Sequence, residues 1–452
     1  MSRKTILAIL IFILYIYAEG TAMAELSQSD VNPAHPRPDF ERSLWASLDG
    51  LWDFAYDDQD VGLKNKWFDK CDWARKIRAP FTHQARLSGI GETEHHRVVW
   101  YHRPITRPET FPLEQRVRLH FGAADFRATV WLNGKKLGEH EGGYTPFSFD
   151  IEDYLKDGEN RLVVRVFDDA LDPAQPRGKQ NPSGKLSRWH YTHITGLWQS
   201  VWLESVPRNF LETFRVYTSE IADPRYLYWC DKLGLMVWGE MANAGEGHFS
   251  KRAADISLRE WERVINRDFN HPCIIAWVYS NEHWMHSGRD AEERLHYLHA
   301  YQQLKAWDST RPVIDTSGWF HIKTDIFDFH GVPELQKAQS WLDGTLNEIV
   351  FRPDVCFFDK EKPDLLYHGW PLLISEWVIV SDFAMADEKY YEGYEKSILP
   401  LTEVKAICGQ IYVQLYDVEN ERNGYLTYDR RWKVDPDRIK ATHEKFAAAA
   451  SK

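Results

Sequence analysis

Residues 273–282 read CIIAWVYSNE, an apolar run that breaks into an Asn-Glu pair. The run follows Pro272 and is too short for a buried helix, so it predicts a strand covered on both faces, as in a parallel sheet. Working outward, LREWERVINRDF (258–269) and AEERLHYLHAYQQLKAWD (291–308) have helical spacing. Farther out, PRYLYWCDKLG (224–234) reads as a helix stopped by Gly234, and LMVWGE, PVIDTS, DIFDFHG, PLLISE and GQIYVQLYD read as strands. Helices alternating with apolar strands predict a parallel sheet covered by helices. Five strands end in a polar or charged residue: Glu240, Asn281-Glu282, His330, Glu376 and Asp417. In a (β/α) barrel, catalytic groups sit at the carboxyl ends of several different strands.

Residues 43–204 have another texture. VVWYHRPI, RVRLHFGA, ATVWLNGKKLGEHEG, RLVVRVFDD and QSVWLESV alternate apolar and polar residues. Asn133-Gly134 marks a tight hairpin. This half is predicted to be an antiparallel β-sandwich.

A net charge of −12 opposes nucleic-acid binding, because little basic surface remains to neutralise phosphates. Aromatic residues make up 14%, including 20 Trp; flat rings suit sugars, but large cores also use them. Arg3 and Lys4, the apolar run 6–18 and Ala22-Met23-Ala24 read as a signal peptide, predicting a secreted or periplasmic protein with no membrane contact after cleavage. The five cysteines form no C-x-x-C pair, so buried thiols are expected rather than a zinc site or disulfide framework. No sequence feature calls for a cofactor or metal.

Glu282 and Glu376 can face each other across a barrel mouth. Such a pair suits glycoside hydrolysis, one carboxyl protonating the leaving oxygen while the other attacks the anomeric carbon or activates water. Solvated strand ends are the plainer reading of both. Burial against Trp277 and Trp284 is expected to raise the pKa of Glu282. His330 suits a pocket or a core, and Glu240 a pocket or an ion pair with arginine. Asp168-Asp169 and the loop DPAQPRGKQNPSG (172–184) read as turn formers.

The chain resembles glycoside hydrolase family 2, the group of β-galactosidases, β-glucuronidases and β-mannosidases. The resemblance runs through SLWASLDGLWDF, VWLNGKKLGEHEGGYTPFSFDI and TGLWQSVWLE, then RDFNHPCIIAWVYSNE, PLLISEW and DVENERNGYLTYDRRWKVDP. It implies a sugar-binding jelly roll at 25–213 after a signal peptide at 1–24, and a TIM-type barrel at 224–445. It also implies a β-glycoside substrate and a retaining mechanism. By resemblance Glu282 is the acid/base, Glu376 the nucleophile and Asn281 the ligand of the sugar 2-hydroxyl; Glu240, His330, Trp284 and Trp377 complete the substrate pocket. The pattern departs from the family at 214–223, where LETFRVYTSE runs straight into IADPRYLYW. An immunoglobulin-like domain and two barrel strands have no counterpart there, so about six βα units and an incomplete barrel are expected. Gly331-Val332 stands where a tyrosine usually follows the histidine, and His283-Trp284 replaces smaller residues after Glu282. Two functions remain open: a retaining glycosidase, and a non-catalytic carbohydrate-binding protein or inactive truncated remnant.

Overall fold

The computed structural model describes residues 34–181, 190–208, 210, 224–243, 250–282, 291–318, 321–331, 371–378, 383–403 and 407–450. The predicted signal peptide, the whole junction at 214–223 and Trp284 lie outside the described residues.

The amino-terminal half contains strands β1 (Trp45–Ser47), β2 (Gly50–Tyr56), β3 (Arg75–Ala79), β4 (Val98–Ile105), β5 (Arg116–Phe121), β6 (Ala124–Asp125), β7 (Arg127–Leu132), β8 (Lys135–Glu141), β9 (Phe147–Asp150) and β10 (Asn160–Phe167). It continues with β11 (Gln180–Asn181), β12 (Tyr191–Thr192), β13 (Gly196–Leu197) and β14 (Val201–Val206). A four-stranded sheet, β1-β14-β5-β9, faces a six-stranded one, β3-β2-β4-β10-β7-β8, and both are antiparallel. Alternation along β10 explains its sequence. Leu162, Val164 and Val166 point into the core between the sheets, while Val163 points outward beneath Trp100 and Trp131. Trp67, Phe68 and Trp73 pack against that outer cluster, so much of this half's aromatic content covers a sheet face. At the predicted hairpin, Asn133 and Gly134 both have positive φ (51° and 79°), as a type I′ turn requires.

The second half contains α1 (Pro224–Leu233), β15 (Val237–Glu240), α2 (Lys251–Asp268), β16 (Ile274–Val278), α3 (Ala291–Trp307), β17 (Val313–Ile314) and β18 (Phe327–His330). These are followed by β19 (Leu372–Trp377), α4 (Glu388–Ile398), β20 (Ile407–Tyr412) and α5 (Pro436–Ala450). The strands form two parallel sheets, β15-β16-β17 and β18-β19-β20. Among the described residues no closed barrel exists, in keeping with the incomplete one expected. Gly234 ends α1 with φ 67°, and no helix of the described residues is long and apolar enough to cross a membrane. One expectation fails: Asp417 ends no strand, because β20 stops at Tyr412. It sits in the following loop, where it pairs with the buried Lys433 at 2.7 Å. Cys230 and Cys273 are buried, as expected, whereas Cys71 is only half-buried.

The Arg-Asp-x-Asn-His-Pro run proves architectural. Arg267 grips Asp268 at its own helix end, and His271 Nδ1 lies 2.6 Å from Asp231 of α1. Arg311 reaches back to accept no proton but to donate to the carbonyls of His271 (3.2 Å) and Ile274 (3.3 Å), fixing the start of β16. Its charge is met by buried Asp308 at 2.7 Å, which also accepts from the indole of Trp277 at 2.9 Å. The same helix joins the two halves. Buried Glu260 of α2 accepts from Tyr144 N (3.1 Å) and Thr145 Oγ (2.9 Å) of the sandwich.

Replacing Asp308 with alanine strands the Arg311 guanidinium and the Trp277 N–H in the interior. The expected cost is about 3–5 kcal/mol, the usual consequence of removing one partner of a buried ion pair. Urea unfolding of D308A against wild type measures it, and a loss below about 1 kcal/mol contradicts the assignment.

Candidate active site

The carboxyl ends of five parallel strands converge. β15 ends at Glu240, and the residues after β16 are Ser280, Asn281 and Glu282. β17 runs on to Ser317, β18 ends at His330, and β19 carries Ser375 and Glu376. The two sheets meet through polar groups at this end. Gly318 N donates to Asp328 Oδ2 (3.0 Å) and His330 N to Gly318 O (3.3 Å) across them, while bonds from Glu282 N to Ser317 O (2.9 Å) and from Gly331 N to Glu376 O (2.7 Å) extend the pairing within each sheet. Buried Asp328 also accepts from Ser317 Oγ at 2.8 Å and from Ser375 Oγ. Gly318, at φ 99°, is required here: a Cβ would lie 2.6 Å from the ring of His330.

His330 joins the glutamates. Its Nδ1 is 2.8 Å from Glu282 Oε1 and 3.7 Å from Glu376 Oε2, and its Nε2 is 3.2 Å from Ser317 Oγ. One oxygen of each glutamate and a nitrogen of His330 all lie within 4.8 Å of one another. This trio is also the cluster among the described residues whose spacing fits a metal ion. A fourth group enters from the sandwich, Lys179, with Nζ 3.5 Å from Glu282 Oε2.

The charges follow from these neighbours. Burial works to raise the pKa of Glu282, but the His330 hydrogen bond and the Lys179 charge hold it below the usual carboxylate value. Burial raises that of Glu376, and the charge of Glu282 adds to this; His330 and Lys179 offset it only in part. Burial pushes Glu240 up to about 8, reinforced by the charge of Glu376. Burial alone would lower His330, yet the bond to Glu282 and the charges of Glu376, Glu282 and Asp328 raise it. This corrects the expected order, in which Glu282 was the carboxyl with the raised pKa. Trp277 does not touch it: its ring is wholly buried, edge-on to Trp261 and bonded to Asp308.

The other sequence candidates divide. Asn281 joins the group: its backbone N donates to Asn243 Oδ1 at 2.9 Å. Its side-chain Oδ1 is shielded from solvent with no hydrogen-bond partner among the described residues. Glu240 faces the pocket, and no arginine pairs with it among the described residues. Trp377 does not line the pocket; it is 2% exposed and packs on Tyr394 and Tyr412 inside the lower core. Adjacent strand residues point to opposite faces, so a pocket-facing Glu376 sends its neighbour inward. Sequence reading missed Lys179, Asn243, Ser317, Asp328 and Ser375. Only Lys179 carried a signal, as one of the two cations, with Arg177, that flank Gly178 in the PRGK turn.

A sandwich is thus set on βα strands whose ends gather two glutamates and a histidine. Residues 45–207 match the model described as "Glycosyl hydrolases family 2, sugar binding domain", and residues 220–330 match "Glycosyl hydrolases family 2, TIM barrel domain". The chain belongs to glycosyl hydrolase family 2. It is 30% identical to the β-glucuronidase of Homo sapiens over 196 residues, covering 38% of this chain and 30% of that protein. It is 34% identical to a β-galactosidase of Thermoanaerobacter pseudethanolicus over 115 residues, 25% of this chain and 14% of that one. The chain thus spans about a third or less of the length of these curated relatives. Among solved structures, a β-glucuronidase of an uncultured Clostridium sp. superposes with TM-score 0.68 at 15% identity, covering 90% of this chain and 99% of that one. A Ruminococcus gnavus β-glucuronidase in complex with D-glucuronic acid gives 0.66 at 14% identity, covering 90% and 98%. These two show a shared fold.

The charge network has a pH consequence beneath the site. His321 is buried; its bond to Asp315 and the charge of Asp328 outweigh that burial and push it up to about 9. A raised histidine stabilises the fold fully below the unfolded value of about 6.5, and the contribution is lost as pH rises through about 9. H321Q is therefore expected to be less stable than wild type at pH 6. The gap should narrow by on the order of 3 kcal/mol by pH 10, read from urea unfolding at both pH values. A gap independent of pH contradicts the charged assignment.

Proposed function

We propose that the protein is an exported retaining β-glycosidase using Glu282 and Glu376. The observation that carries this reading is the approach of the two carboxylates to within 4.8 Å, oxygen to oxygen. Retaining enzymes hold their carboxyls about 5–5.5 Å apart, whereas inverting enzymes leave about 6.5–9.5 Å for a water.

In the first step an oxygen of Glu376 bonds to the anomeric carbon as the glycosidic C–O bond breaks, and Glu282 gives its proton to the departing oxygen. In the second step water attacks the anomeric carbon, its proton passes to Glu282, and the bond to Glu376 breaks. The site's own charges are poised the other way, with Glu376 the weaker acid. His330 lies close enough to both carboxylates to correct this. Moving its hydrogen bond from Glu282 to Glu376 stabilises Glu376 as the anion and frees Glu282 to take a proton. Asn281, with its unused amide oxygen, is suited to a sugar hydroxyl. The relatives named as β-glucuronidases and a β-galactosidase support the β-glycoside class.

One observation favours the second reading, a carbohydrate-binding protein without turnover: among the described residues the six parallel strands form two separate sheets. Turnover separates the two. Glu376→Ala is expected to abolish hydrolysis of a nitrophenyl β-glycoside. Glu282→Ala is expected to lose about 10²–10⁴-fold on an alkyl glycoside, and much less on a nitrophenyl one, whose leaving group needs no proton. Unchanged hydrolysis by Glu376→Ala overturns the mechanism. A wild-type protein that binds sugars but hydrolyses none establishes the second reading.

A further inference from the structure

The loop DPAQPRGKQN (172–181) belongs to the sandwich, yet it is built onto the strand ends of the other half. The N–H groups of Arg177 and Gly178 both donate to the carbonyl of Asn243, at 2.9 and 3.0 Å. Asn243 in turn holds the segment bearing Glu282: its Oδ1 accepts from Ser280 Oγ and Asn281 N (2.9 Å each), and its amide donates to Asn281 O. Gly178 has φ 58°, and a Cβ there would lie 3.3 Å from that of Ala242, so the chain turns in tight contact with the βα half. On the far side, Tyr191 N donates to Lys179 O (2.9 Å), the Tyr191 hydroxyl donates to Glu421, and Thr192 N donates to Glu419 Oε2 (2.9 Å). Lys179 is thus held from both sides, with its ammonium over the glutamate pair.

That ammonium is not consumed by its partner. At 3.5 Å it is farther from Glu282 than the 2.7–2.9 Å of a tight charge-assisted bond, and its side chain is 37% exposed. An ammonium has three N–H donors, and no acceptor other than Glu282 is bonded to this one among the described residues. Among the described residues, Lys179 is also the only lysine or arginine paired with either glutamate. The ionisable groups around it are the acids Glu240, Glu376 and Glu421, with His330 on the other oxygen of Glu282. A neutral sugar entering this space leaves Lys179 on Glu282, where it favours the ionised form and opposes protonation of the general acid. A sugar carrying its own negative charge offers the ammonium a second partner.

We propose that Lys179 is a specificity-determining residue that recognises an anionic substituent on the sugar, a carboxylate or a sulfate ester, and that engaging it releases Glu282 to act as the acid. The proposal rests on the glycosidase reading for the role of Glu282. Recognition of the anion itself stands apart from it.

Calorimetric titration with D-glucuronate, glucose 6-sulfate and D-glucose tests recognition without requiring turnover. Wild type is expected to bind at least one anion about tenfold or more tighter than glucose, the scale of one charge-assisted bond. Which of the two binds identifies carboxylate or sulfate. Lys179→Met should erase the preference and Lys179→Arg should retain it. Hydrolysis of the matching nitrophenyl glycosides should show the same collapse in the ratio of charged to neutral kcat/KM. The proposal is overturned if wild type has no preference, or if Lys179→Met keeps it while only the melting temperature falls. A Lys179-dependent preference with no hydrolysis of any glycoside sinks the glycosidase reading and supports recognition. Equal hydrolysis of charged and neutral glycosides does the reverse.

Discussion

Two carboxylates brought within 4.8 Å repel each other, and the arrangement of this site follows from managing that repulsion. His330 supplies the opposing charge. Glu282, Glu376 and Asp328 surround its buried ring and raise its pKa, which favours that charge. The ring is held at its other nitrogen by Ser317, beneath which Asp328 gathers Ser317, Gly318 and Ser375. These groups come from both three-stranded sheets. The polar cluster that aligns the glutamates therefore also joins the two sheets where no closed barrel does so.

The fold shows how the two halves depend on each other. Glu260 and the Asn243 clamp attach the sandwich to the βα half through hydrogen bonds, beside a small apolar cluster of Phe126, Ala174, Ala253 and Ile256. The sandwich returns a cation, Lys179, to the site. The sandwich is then more than an appendage, because the charge state of Glu282 depends on it.

Much of this was legible in the amino-acid sequence, for identifiable reasons. Period-two alternation marked β4, β5, β7 and β10, and Asn133-Gly134 marked the hairpin from β7 to β8, because these signals are local. Glu282 and Glu376 were legible because polar residues break apolar strands at those points. The order of their pKa values was not, since it depends on His330 lying nearer one than the other by about an ångström. Lys179 and Asn243 were hidden for a related reason: they act through contacts with residues 103 and 38 positions away in the chain. Trp377 was a misreading that strand geometry corrects, as a residue beside a pocket-facing glutamate must face the core. Asp417 was placed at a strand end because GQIYVQLYD stays apolar beyond Tyr412, where the ladder stops.

The central claim is that Glu376 forms a bond to sugar while Glu282 does not. The most direct measurement is mass spectrometry after incubation with a 2-deoxy-2-fluoro β-glycosyl fluoride, whose fluorine at C2 slows release of the glycosyl-enzyme. The account predicts one added sugar, on the peptide containing Glu376. A label on Glu282, or hydrolysis of β-glycosides with inversion and no label at all, would contradict it.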